Sequence, residues 1–171
     1  LSQTKLIEIK PKIGAFVSYI DEDIVEQVRQ LRSVLESELA MQACDEFTSK
    51  QIDLLWENIA LWKMYIERND EEKIFQLDKD FHKLLYILCG KNYWYGLVDR
   101  ISPHYDRTTI LSFRCKELGR ILADHEGLIK AIEKRDKEEV VMLVKRHMKR
   151  YDENIIAIRD NFSEYFKQPL F

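Results

Sequence analysis

A chain of 171 residues, 46% hydrophobic and 33% charged, is long enough to bury one well-formed core, and this balance excludes a disordered or fibrous protein. A net charge of −3 leaves no concentrated basic surface, so any contact with nucleic acid has to be made by another part of the molecule. Three scattered cysteines, Cys44, Cys89 and Cys115, argue against a disulfide framework and fit a reducing cytoplasm. No apolar run approaches the roughly 20 residues that span a bilayer, and no signal peptide is expected ahead of the fold.

The first twenty residues differ from the rest. Leu6 to Lys10 alternates, Pro11 and Gly14 punctuate, and Ala15 to Ile20 is a second extended piece, the pattern of a short β-hairpin. Two strands alone are marginal in water, so the hairpin either packs on the body or belongs to a domain not in this chain. Residues 1–20 are therefore set apart from a helical body over residues 21–171.

From Asp21 onward the period is helical. Asp21 is placed to cap a first helix with Ile24, Val28, Leu31, Leu35, Leu39 and Ala43 on its apolar stripe. A second begins at Thr48 and carries Ile52, Leu55, Trp56, Ile59 and Trp62 until Asn69-Asp70 breaks it. A third carries Ile74, Leu77, Asp78, Phe81, His82, Leu85 and Leu88, with Gly90 closing it. The fourth runs from Asn92 through Trp94, Leu97, Ile101, Tyr105, Thr108 and Leu111, and Pro103 within it predicts a kink or break. A fifth has Leu118, Ile121, Leu122, His125, Leu128, Ile129 and Ile132. The sixth has Val140, Leu143, Val144, His147, Tyr151, Ile155 and Ile158, and an aromatic tail follows to Phe171. The fold expected is all-α, an antiparallel bundle of about six helices behind a short hairpin.

Three of the four histidines, His82, His125 and His147, sit on the apolar stripes of three different helices. Asp78 lies one turn before His82, so both side chains leave the helix on one face. Such a pair alone is compatible with a surface ion pair. An inward carboxylate among three inward imidazoles needs a partner or a metal, and the set reads as a metal centre, with a polar core network as the alternative. Three imidazoles and a carboxylate suit a divalent ion: zinc first, with nickel, manganese or iron as the others. Four protein ligands close a tetrahedral site, whereas an octahedral ion keeps positions open for water or a carboxylate.

His104, just after Pro103, is read as a pocket wall or ligand contact, with a plain core position as the alternative. Arg32 and Arg107 lie at the edges of their stripes, where a guanidinium can grip an anionic ligand bidentately or pair with an Asp or Glu at the core edge.

The chain resembles the GntR family of bacterial transcription regulators, in the group whose effector domain is of the FadR C-terminal (FCD) class. Ile9 to Ser18 is similar to the wing that ends that family's winged helix-turn-helix, and Leu31-Arg32-Ser33-Val34-Leu35-Glu36 to its first effector helix. Asp78-Lys79-Asp80-Phe81-His82, Asp124-His125-Glu126 and His147 match the rest. The resemblance implies that Asp78, His82, His125 and His147 hold a metal, that a nearby pocket takes a small organic acid, and that the protein is a homodimer. It also implies that operator DNA is read by an N-terminal domain of which residues 1–20 are only the wing remnant, so the chain as given is not expected to bind an operator. An extra residue in Gly90-Lys91-Asn92 departs from the family's Gly-Asn pair.

Two other classes compete. A metal-dependent enzyme acting on small carboxylates would need a general base or nucleophile motif, and neither Gly-x-Ser-x-Gly nor His-Glu-x-x-His occurs. A metal-free dimerisation module would carry the histidines as hydrogen-bonded core residues.

Overall fold

The computed structural model describes residues 6–115 and 118–167; the first residues of the hairpin segment and the end of the aromatic tail lie outside that range. Strand β1 (Ile7–Lys10) pairs antiparallel with β2 (Gly14–Val17), Ile7 opposite Val17 and Lys10 opposite Gly14. The tight link uses Lys12 at φ 63° and Gly14 at φ 145°, a backbone that glycine adopts without strain. Ile9, Ile13, Phe16 and Val17 are all exposed, so these apolar side chains are not buried on the helical body.

Among the described residues seven α-helices follow: α1 (Glu22–Glu46), α2 (Ser49–Glu67), α3 (Glu71–Leu88), α4 (Asn92–Ile101), α5 (Pro103–Arg114), α6 (Leu118–Glu133) and α7 (Lys137–Asn161). Their starts are set by side chains that accept from orphan backbone N–H groups. Asp21 accepts from Ile24, Asp70 from Lys73 and Asp136 from Glu139, while Thr48 and Gln51 form a reciprocal capping box. The break expected at Pro103 divides the fourth stretch in two. Proline cannot donate to a preceding carbonyl and takes the first position of α5 instead. Among the described residues no helix is long and apolar enough to cross a membrane.

The main core gathers Leu39, Leu55, Trp62, Phe81, Leu85 and Ile129 from α1, α2, α3 and α6, closed by Val140 and Val144 of α7. A smaller cluster of Ile20, Val25, Leu111, Ile158 and Phe166 ties the start of α1 to α5 and to the segment after α7. There Ile20 N–H donates to the carbonyl of Tyr165 at 2.8 Å.

Two stripes differ from those expected. On α1, Leu31 is exposed, and so is Val34, whereas Arg32 and Glu36 are buried. The middle of the helix turns a paired guanidinium and carboxylate inward, because the polar cluster on α3 gives them partners that the flanking leucines cannot use. On α4, Trp94, Leu97 and Ile101 are exposed and Val98 is the buried residue, since this short helix touches the bundle along one narrow line.

Candidate metal centre

Helix α3 brings Asp78 and His82 inward, α6 brings His125 and α7 brings His147. One donor atom from each lies within 4.8 Å of the other three. Asp78 Oδ1 stands 3.9 Å from His82 Nε2 and 3.7 Å from His125 Nε2. Donors about 2.1 Å from a tetrahedral ion are separated by roughly 3.4 Å, so the two Asp78 distances are already within about half an ångström of that spacing, while the whole set, spread over up to 4.8 Å, draws together to take an ion. The three imidazole rings face one another, with centroids 4.6 Å apart for His125 and His147 and 5.0 Å for His82 and His125.

Buried polar atoms are normally hydrogen-bonded, and this cluster departs from that rule. His82 Nε2, both ring nitrogens of His125, and His147 Nδ1 are buried with no hydrogen-bond partner among the described residues. Burial holds the His82 and His125 pKa values down, that of His125 far down, with His147, His82 and Arg32 adding to the effect at His125. Both rings are therefore neutral at pH 7 and carry a lone pair, the form in which imidazole binds a metal. The donor set fits a divalent ion of the zinc or nickel type.

Around this cluster lie groups that orient its members. His82 Nδ1 is 2.7 Å from Glu36 Oε2, and the other oxygen of Glu36 accepts from Arg32 Nε at 2.7 Å. Burial pulls the Glu36 carboxyl up, but Arg32 and His82 outweigh it and leave it ionised with a pKa of about 2. Asp124, the residue before His125, is buried and bound by Arg146 and Arg150; its Oδ2 lies 3.8 Å from His147 Nδ1. Burial opposes its ionisation, but His147 and Arg150 hold it well below the usual carboxylate range. His125 is packed against both Phe81 and Trp62.

Two clefts meet at Asp78, Tyr105 and Thr109. One, partly open to solvent, is lined by Thr108, Ser112, His147 and Arg150; the other by Arg32, Glu36, His82 and Tyr95. Arg32 stacks over the Tyr105 ring at 4.8 Å. Hydroxyls and a guanidinium beside a candidate ion suit a small carboxylate.

Of the seven residues singled out from sequence, Asp78, His82, His125 and His147 come together, and Arg32 reaches the second cleft already paired with Glu36. His104 and Arg107 do not join them. His104 is buried with Nδ1 accepting from Asp21 N–H at 3.1 Å, and Arg107 donates to the Ser18 carbonyl at 2.8 Å. Both lie on the side of α5 that faces the junction between hairpin and α1. Sequence reasoning passed over Glu36 and Asp124. The one lies four residues after Arg32 and the other directly before His125, spacings that could have marked them as partners of those residues.

The FCD domain family matches residues 27–150. The HTH-type transcriptional repressor RspR of Escherichia coli K12 is 26% identical over 169 residues, covering 98% of this chain and 74% of that protein. An HTH-type transcriptional regulator of Streptomyces ambofaciens is 26% identical over 167 residues, 97% of this chain and 70% of its own. Among solved structures, E. coli McbR/YncC superposes with a TM-score of 0.78 at 16% identity over 95% of this chain and 81% of that one. Streptococcus agalactiae GntR gives 0.63 at 19% identity, over 94% and 77%. The curated relatives are named as regulators, none as an enzyme.

Proposed function

Because the chain belongs to the FCD domain family of GntR-type transcription regulators, we propose that it is the effector-binding and dimerisation part of such a regulator, with a divalent ion held by Asp78, His82, His125 and His147. The observation that carries this reading is the group of buried imidazole nitrogens without hydrogen-bond partners among the described residues, gathered around one carboxylate. Once bound, the ion supplies a Lewis-acidic anchor for the carboxylate of a small organic acid. Zinc is the first candidate, followed by nickel, manganese and iron. The Tyr105 and Thr109 hydroxyls at the shared wall of the two clefts, with Arg150 in the first, orient the acid.

Operator binding belongs to a winged helix whose last strands residues 1–20 resemble. The uncovered apolar side chains of the hairpin, Ile9, Phe16 and Val17, support a packing partner of that kind. Leu31 and Val34 on α1 and Leu97 and Ile101 on the adjoining α4 are exposed and offer a face to a second copy. Effector binding biases the placement of two DNA-reading heads to the extent that it favours one arrangement over the other.

The test is elemental analysis of protein purified without an affinity metal, for wild type and His125→Ala. About one ion per chain, lost in the variant, is expected, and carboxylates that raise the melting temperature only of the metal-loaded form would follow. A wild type that takes up none of zinc, nickel, manganese and iron overturns the centre.

A further inference from the structure

We propose that Glu36, anchored by Arg32, is the positioning residue that holds His82 in its metal-ligating tautomer, so that the centre extends from α3, α6 and α7 into α1. This rests on the metal-centre reading above. Glu36 is 1% exposed and Arg32 6%, and an ion pair buried this deeply seldom adds stability over an apolar pair of the same size. The geometry gives it another use. The two carboxylate oxygens of Glu36 are divided: Oε1 accepts from Arg32 Nε, which leaves only Oε2 to face His82 Nδ1, each at 2.7 Å. A carboxylate oxygen can only accept, so Nδ1 carries the hydrogen and Nε2 keeps its lone pair. That nitrogen is the one turned toward Asp78 Oδ1 and left without a hydrogen-bond partner among the described residues. Carboxylates behind ligating histidines set ring orientation in this way, and their loss typically weakens metal binding by about 10–100-fold.

Arg32 makes the arrangement directional. In Glu36→Gln the guanidinium demands the amide oxygen, which turns the NH2 group toward His82 Nδ1 and forces the hydrogen onto Nε2, blocking the ligating atom. The experiment records long-range ¹H–¹⁵N histidine spectra of the metal-stripped protein and zinc affinity by chelator competition, for wild type, Glu36→Gln and the double variant Arg32→Met/Glu36→Leu, whose apolar pair guards against misfolding. Wild-type His82 is expected as the Nδ1–H tautomer. It should switch to Nε2–H in Glu36→Gln and become a mixture in the double variant, and zinc affinity should fall by about 10–100-fold in both. Variants that keep the Nδ1–H tautomer and bind zinc as wild type does would overturn the positioning role alone. A wild type that binds none of zinc, nickel, manganese or iron would instead overturn the centre, and the spectra would still report whether Glu36 sets the tautomer.

Discussion

Phe81 lies flat against His125, their ring centroids 4.1 Å apart and planes 8° from parallel. The residue beside one candidate ligand on α3 thus fixes the ring of another on α6, and Trp62 meets the same ring edge-on at 4.9 Å. Phe81 is fully buried. Phe81→Ala is expected to cost about 3–5 kcal/mol in urea unfolding through the cavity it leaves. It should also weaken zinc binding, because His125 loses the surface that holds its plane. An affinity equal to wild type in the folded variant would show that the stacking serves packing only.

Stability should fall as the pH drops. Burial lowers the folded-state pKa values of His82 and His125 below the ordinary value of about 6.5. Between the two values the unfolded chain binds protons that the folded chain does not. The contribution is fully present above about pH 6.5 and is lost as pH falls below it, at about 1.4 kcal/mol per pH unit for each histidine involved. Glu36 acts in the same direction at lower pH. Its folded pKa of about 2 lies below the ordinary carboxylate value, so its contribution fades as pH falls from about 4.5 toward 2. Chemical denaturation of metal-stripped protein from pH 8 to pH 4 checks this, and a flat profile between pH 7 and 5 would contradict it.

Asp124 binds two guanidiniums that have water as an alternative, Arg146 more than Arg150. Asp124→Asn turns an amide NH2 toward one of them and removes the charge. The expected loss is about 1–3 kcal/mol, read as a lower urea midpoint at unchanged slope. A midpoint within experimental error of wild type would show that solvent replaces the carboxylate at no cost.

Helix α5 has two working faces. Tyr105, Thr108, Thr109 and Ser112 line a cleft, while His104 and Arg107 hold the backbone of Asp21 and Ser18. His104→Ala should speed exchange of the Asp21 amide hydrogen by about 2–10-fold, the worth of one such bond, and Arg107→Ala should loosen Ser18. Zinc affinity should stay within about twofold of wild type, because neither residue touches the ligating atoms. A large loss of affinity would place these residues in the site itself.

Much of this protein is legible in its residue order. The caps Asp21, Thr48 and Asp70, the stop at Gly90 and the break at Pro103 are local events, each determined within three or four residues of chain. The inward pairing of Asp78 with His82 is equally local, one turn of one helix. His125 and His147 were legible because a histidine on an apolar stripe is an anomaly that needs only helical periodicity to detect. The stripe of α1 was misplaced at Leu31 for the converse reason. Periodicity favours the leucine, and nothing within that helix says that Arg32 and Glu36 have partners on α3 and α5.

The sequence by itself therefore determined the helices, their ends and four of the residues that meet in the core, because turns, caps and apolar period depend on neighbours in the chain. The tertiary structure alone decided that Glu36 stands behind His82, that Asp124 stands beside His147, and that His104 and Arg107 face the hairpin junction rather than the clefts. Those relationships join residues up to 89 positions apart. The rotation of each helix about its own axis sets them, and that rotation is fixed only when seven helices settle their side chains against one another.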